Sequence, residues 1–247
     1  MIKFFRQIRQ TIIMENSKTS RYFKYAIGEI ILVVIGILIA LQINNWNENQ
    51  KLESKKETYY EQLLDDLKKD SVFAEQIISK FQHYLKDLED YFGLYYSKDM
   101  LTPQQAYERI SKLSVFSTSF TFHSSTIESL QNSGDINLIP PHIRNLLIDL
   151  KREQELTMKK ANYTDEGKNG VIQRLNPLLG STTLPDRLAV QPNMKAFLNI
   201  DDNLREVILV YEGVHRWKSV SEQESITRFQ NMLKDIDTIV QLIHKDL

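Results

Sequence analysis

The chain has 247 residues, of which 42% are apolar and 26% charged. This composition excludes wholesale disorder and is ordinary for folded protein. It contains no cysteine, which excludes disulfides, thiol nucleophiles, Cys-ligated zinc and a lipid-modified N-terminal cysteine.

The formal net charge of −1 conceals an asymmetry. Lys3, Arg6, Arg9, Lys18, Arg21 and Lys24 face only Glu15, so residues 1–25 carry +5, and the other 25 basic and 31 acidic residues leave −6 on the rest. A basic arm on an acidic body points to an anionic partner, nucleic acid or membrane. The arm is also partly amphipathic. At about 100° per residue, Ile2, Phe4, Phe5, Ile8, Ile12 and Ile13 lie opposite Lys3, Arg6, Gln7 and Gln10, with Arg9 intruding. It reads either as a helix lying on an anionic leaflet or as a frayed arm that only sets topology.

An apolar stretch follows. Ile30–Leu41 is wholly apolar or Gly, and Ala26–Ile43 is interrupted only by Glu29 and Gln42. At 1.5 Å per residue this run spans roughly 27 Å, close to a hydrocarbon core of about 30 Å. It is apolar all round, and Tyr22, Tyr25 and Trp46 flank it as interface anchors. A buried core helix would carry a polar stripe. A cleaved signal would have a shorter basic segment and a small-x-small exit, where Leu38 instead precedes Ala40. The expectation is therefore an uncleaved transmembrane helix over 26–44, which makes the bilayer, and not nucleic acid, the partner of the arm. The positive-inside rule places the N-terminus in the cytoplasm and the C-terminal part outside the bacterial inner membrane, in the periplasm. Gly28, Gly36 and Ala40 share nearly one helix face, a small-residue pattern that marks a candidate homodimer contact within the span.

Residues 45–58 read as a polar stalk, and 59–247 as an extracytoplasmic helical bundle. Tyr60, Leu64, Leu67, Ser71, Ala74, Ile78, Phe81, Leu85, Leu88, Phe92 and Tyr95 follow a 4,3 spacing, with Leu63, Ile77, Tyr84 and Tyr91 widening the stripe. The spacing recurs in Ile226, Phe229, Leu233, Ile236, Val240, Ile243 and Leu247. Capping boxes begin at Thr102, Asn203 and Ser221, the last of which also fits inside one helix continuing from Asn203. Pro140-Pro141 opens a helix with Ile143, Leu147 and Leu150 on one face. Residues 177–202, with three prolines and Gly180, predict an irregular excursion. "VFSTSFTF" (115–122) predicts an extended linker. The fold class is all-α: one N-terminal transmembrane helix followed by an extended antiparallel helical bundle.

"YAIGEIILVVIGILIALQINNWNE" (25–48), with basic residues upstream, resembles the opening of a family of single-span bacterial envelope proteins, the domain-of-unknown-function family 6090 type. "STIESLQNSGDINLIP" (125–140) resembles that family's internal hallmark, a helix ending in a Ser-Gly-Asp turn before an aliphatic pair. The resemblance implies membrane anchoring and an extracytoplasmic helical domain. It implies no activity.

Chemistry is sparse. The five His form no metal motif, and Gly167-Lys-Asn-Gly170 is too short for a phosphate loop. No cofactor is expected. Tyr59, Tyr60, Tyr84, Tyr91, Tyr95 and Tyr96 form a stripe that serves as core or lines a pocket for an aromatic ligand. The one candidate corner for a partner or ligand is Ser129, Asn132, Ser133, Gly134, Asp135 and Asn137. Read structurally, Gly134 is a left-handed cap and Leu138 and Ile139 plug the core. Read functionally, the polar side chains grip a partner. The leading expectation is a non-enzymatic envelope protein that binds another protein. A ligand-sensing bundle signalling through a partner is the alternative, and an enzyme of unidentified type the third class.

Overall fold

A computed structural model describes residues 19–247. The stripe from Ile2 to Ile13 lies outside the described residues. The chain divides into two compact units, Met1–Glu57 and Thr58–Leu247, and the first helix, α1 (Thr19–Gly93), contributes to both.

In the first unit the apolar residues of α1 are all exposed, from Ile27 through Ile43, with Trp46 after them. The richest 18-residue window has a mean hydropathy of 2.6 and none of it is buried. Lys51 pairs with Glu48 at 3.0 Å and Lys56 with Glu53 at 2.7 Å. Such i,i+3 pairs support the polar turns as helix.

The second unit is helical, with no strand among the described residues. After α1 come α2 (Pro103–Ile110), an extended strap (114–124), α3 (Ser125–Ser133) and a 3₁₀ turn (Asp135–Leu138). Then follow α4 (Pro141–Ile172), the short helices α5 (Leu175–Leu179), α6 (Leu184–Ala189) and α7 (Pro192–Leu198), a 3₁₀ turn (Ile200–Asn203) and α8 (Leu204–Asp246).

Side-chain pairs give the directions. Tyr60 meets Asp246, Tyr84 meets His215 and Tyr91 meets Glu212, so α8 runs antiparallel to α1. Thr164 meets Ser221 and Arg174 meets Glu206, so α8 is antiparallel to α4 as well. Asp70 meets Gln154 while Phe81 lies near Lys168, so α1 and α4 run the same way. The bundle is therefore not antiparallel throughout, because α2, the strap and α3 carry the chain back before α4 starts.

The core joins α1, α3, α4 and α8 through Tyr60, Leu63, Leu130, Ile143, Leu147, Phe229 and Ile239 among others. Phe229 is its aromatic centre, with Phe73, Phe120 and Phe122 at 5.2–6.3 Å between centroids. Phe120 and Phe122 come from the strap, so the segment predicted as a linker is also a packing element. Its phenylalanines two residues apart turn to the same face of an extended chain.

The heptad phase differs from expectation. In α1 the buried residues are 60, 63, 66, 67, 70, 74, 77, 81, 84, 88 and 91, whereas Leu64, Ser71, Ile78 and Leu85 are half-buried and Phe92 is exposed. In α8 Met232 and Ile239 are buried instead of Leu233 and Val240, and Leu247 is exposed.

The Thr102 capping box forms, with Gln105 N–H donating to Thr102 Oγ1 at 3.3 Å and Thr102 N–H to Gln105 Oε1 at 2.9 Å. The Asn203 box does not form. A 3₁₀ turn already gives Asn203 helical dihedrals, and its amide donates to the Leu178 carbonyl at 3.1 Å. Ser221 lies within α8. The excursion predicted as irregular holds α6 and α7, because Pro185 and Pro192 each sit in a first helical turn, where a missing N–H is harmless.

Candidate functional site

The corner predicted from sequence is built as a cap. α3 ends at Gly134, whose φ of 77° and ψ of 0° place it in the left-handed region that a residue without Cβ enters freely. Asp135 Oδ2 then accepts from Tyr59 Oη at 2.7 Å and Ser133 Oγ at 2.8 Å. Asn137 donates to the Gly134 carbonyl at 3.3 Å and accepts from Arg144 at 3.0 Å. Ser129 and Asn132 are exposed on α3. Ile139 is buried and Leu138 half-buried. Ser133, Asp135 and Asn137 thus spend their hydrogen bonds on tying the turn to α1 and α4.

Sequence reasoning missed two buried polar clusters. In the first, Asp66 and Asp70 of α1 serve the N-terminal end of α3. Asp66 Oδ2 accepts from Thr126 N–H at 3.2 Å and Thr126 Oγ1 at 2.7 Å. Asp70 Oδ1 accepts from His123 N–H at 2.8 Å and lies 2.9 Å from His123 Nδ1, and Oδ2 accepts from Gln154 Nε2 at 2.7 Å. Ser124, the residue at the cap position, makes no side-chain cap. Carboxylates from a neighbouring helix take over that task, matching the positive end of the α3 dipole.

The second cluster lies between α1, α4, α8 and the strap. Lys218 Nζ donates to the Ser114 carbonyl at 2.7 Å, stands 3.6 Å from Glu222 Oε1, and sits 4.0 Å from the centre of the Tyr84 ring. Lys168 Nζ donates to Ser117 Oγ, which in turn donates to Asp165 Oδ1. Tyr84 Oη is 2.9 Å from His215 Nδ1. Burial pushes the Glu222 carboxyl up to about 7, against the opposing pull of Lys218, Lys168 and Lys80. Burial pushes His215 down to about 4, with the Ile110 backbone acting the other way and the Lys218 charge adding to the fall. It also lowers Lys218 and raises Tyr84. The signal for both clusters lay in the heptads. Asp70 continues the 63/70/77/84/91 positions, and Glu222 continues 222/225/229/232/236.

The tyrosine stripe is spent on such pairs. Tyr60 Oη donates to Asp246 at 2.8 Å and Tyr91 Oη to Glu212 at 2.7 Å, while Tyr95 and Tyr96 are exposed. Gly167 lies within α4, where a Cβ would come 3.2 Å from the Trp217 ring, so its role is to let the indole pack flat. Among the described residues no group of three or more His, Cys, Asp or Glu is placed to hold a metal ion.

A bundle of this kind, behind a long exposed apolar helix, defines a helical protein with a candidate membrane span. The family described as a family of unknown function (DUF6090) matches residues 29–171, and the chain belongs to it. The matched region runs from Glu29 in α1 almost to the end of α4, so α8 and its share of the core lie beyond it. Neither the curated proteins nor the solved structures contain a match.

Proposed function

We propose that this chain is a single-span, non-enzymatic protein of the bacterial inner membrane whose periplasmic helical domain docks a protein partner. The observation that carries the reading is the fully exposed 18-residue window of mean hydropathy 2.6 in α1. A core helix of a soluble protein would bury such a window. A surface this apolar is stable where lipid replaces water. The +5 charge of residues 1–25 supports a cytoplasmic N-terminus. The space beside the buried titratable cluster, about 20 Å³, has room for a water molecule and not for a substrate, so that cluster is read as structural and not catalytic. Pairing of two spans through Gly28, Gly36 and Ala40 belongs to the same reading; a Cβ at either glycine would meet no atom within 4 Å.

Two experiments test it. A reporter active only in the periplasm, fused after Leu247, is expected to be active, and the same reporter at the N-terminus inactive; the reverse pattern overturns the orientation. In-membrane crosslinking from exposed positions of the second unit is expected to trap a discrete heterologous protein. Capture of nothing but lipid or a second copy of the chain overturns partner docking.

A further inference from the structure

The strap is fastened in two halves by different chemistry. Its second half is held by Phe120 and Phe122 on Phe229 and by His123 on Asp70. Its first half is held by two ammonium groups: Lys218 on the Ser114 carbonyl, and Lys168 on Ser117. These same lysines are the cations nearest Glu222, whose side chain is only 8% exposed. Glu222 Oε1 reaches Lys218 at 3.6 Å, beyond a good hydrogen bond, and Oε2 has no hydrogen-bond partner at all. The cavity of about 20 Å³ that Glu222 lines, with Ser117, Lys168, Trp217 and Ser221, admits one water at most. A protonated carboxyl tolerates that setting. An ionised one with an unmatched oxygen does not, and hydration or a closer lysine is its remedy.

We propose that the first half of the strap, residues 114–119, is a proton-operated latch: it closes over the small cavity when Glu222 is protonated and loosens when Glu222 ionises. Ionisation draws Lys218 away from the Ser114 carbonyl and water toward Oε2, and both moves act on the strap. The groups facing Glu222 are Lys218 on its own helix, Lys168 and Asp165 from α4, and Lys80 and Tyr84 from α1. The strap adds no titratable group to the cavity wall, only the hydroxyls of Ser117 and Thr118 and the ring of Phe120. The upward push on the Glu222 carboxyl, from 4.5 to about 7, defines the working range. The opening equilibrium rises with pH between those two values and levels off above the upper one.

The chain has no native cysteine, so Ser221→Cys gives a single thiol at the cavity wall. Its alkylation rate in the full-length chain in detergent, normalised to an unstructured reference peptide at each pH, reads the opening. The expected result is a rise of about tenfold or more from pH 5 to 7.5, with a plateau above pH 7. Glu222→Gln or Glu222→Leu, whichever folds, is expected to abolish the rise. In a Trp46→Phe chain, where Trp217 is the remaining indole, acrylamide quenching is expected to climb over the same range. A normalised rate flat with pH, or one that climbs equally without Glu222, overturns the latch.

Discussion

Replacing Asp70 tests whether the buried carboxylates, and not the apolar stripe alone, organise the bundle. Asp70 is 1% exposed and accepts hydrogen bonds from His123 N–H and Gln154 Nε2, with His123 Nδ1 alongside. In Asp70→Ala the His123 ring, 46% exposed, can turn to water. Gln154, 3% exposed, cannot, and its Oε1 already lacks a hydrogen-bond partner. Losing a bond to a charged acceptor and stranding a buried amide together cost about 3–4 kcal/mol. For a chain of this size that lowers the melting temperature by roughly 10 °C, read by circular dichroism of the full chain in detergent. The double variant Asp70→Leu/Gln154→Leu removes both partners and extends the apolar stripe between Leu67 and Ile77. It is expected to stay within about 1 kcal/mol of wild type. A drop below about 3 °C for Asp70→Ala, or a double variant as unstable as the single one, refutes the reasoning.

Further outcomes are expected. His215, held at about 4 in the fold against an ordinary 6.5, contributes stability above pH 6.5 that is lost as pH falls toward 4. Glu222, raised from 4.5 to about 7, has the opposite sign and contributes more as pH falls through that window. Wild type should therefore change little between pH 6.5 and 4.5 through this pair, whereas Glu222→Gln should lose about 3 kcal/mol on acidification from pH 6.5 to 4, measured by denaturant titration; a flat profile in the variant contradicts the assignment. Gly134→Ala places a Cβ at φ 77° and should destabilise by about 1 kcal/mol, seen as a melting shift of a few degrees; an unchanged melt would show the cap to be relaxed. Gly36→Ile should abolish pairing of the span in a membrane two-hybrid assay without affecting insertion, and an equal signal from both chains would move any self-association elsewhere.

Local chemistry suffices for much of this protein. The apolar run, the polar turns after it, the helix at Pro141, the Thr102 box and the Gly134 cap each depend on residues within a few positions of one another, and all were legible. The phase of the long helices was not. In α1 the positions 60, 67, 74, 81 and 88 belong to either heptad, and the choice between 63/70/77/84/91 and 64/71/78/85/92 turns the helix by one residue. Counting apolar side chains does not separate the two sets, since Asp70 breaks the first and Ser71 the second, and only the charge on Asp70 weighed against the first. The structure takes the first set since the strap and α4 present partners to Asp70, His123 N–H and Gln154, that a pattern count cannot see. Glu222, Lys168 and Lys218 were hidden for the same reason: on a solvated face they are ordinary charges, and only the approach of α1, α4, α8 and the strap removes their water. Helix existence follows from short-range propensity and period, whereas burial of a charge depends on partners tens of residues away, and so the tertiary structure alone decided it.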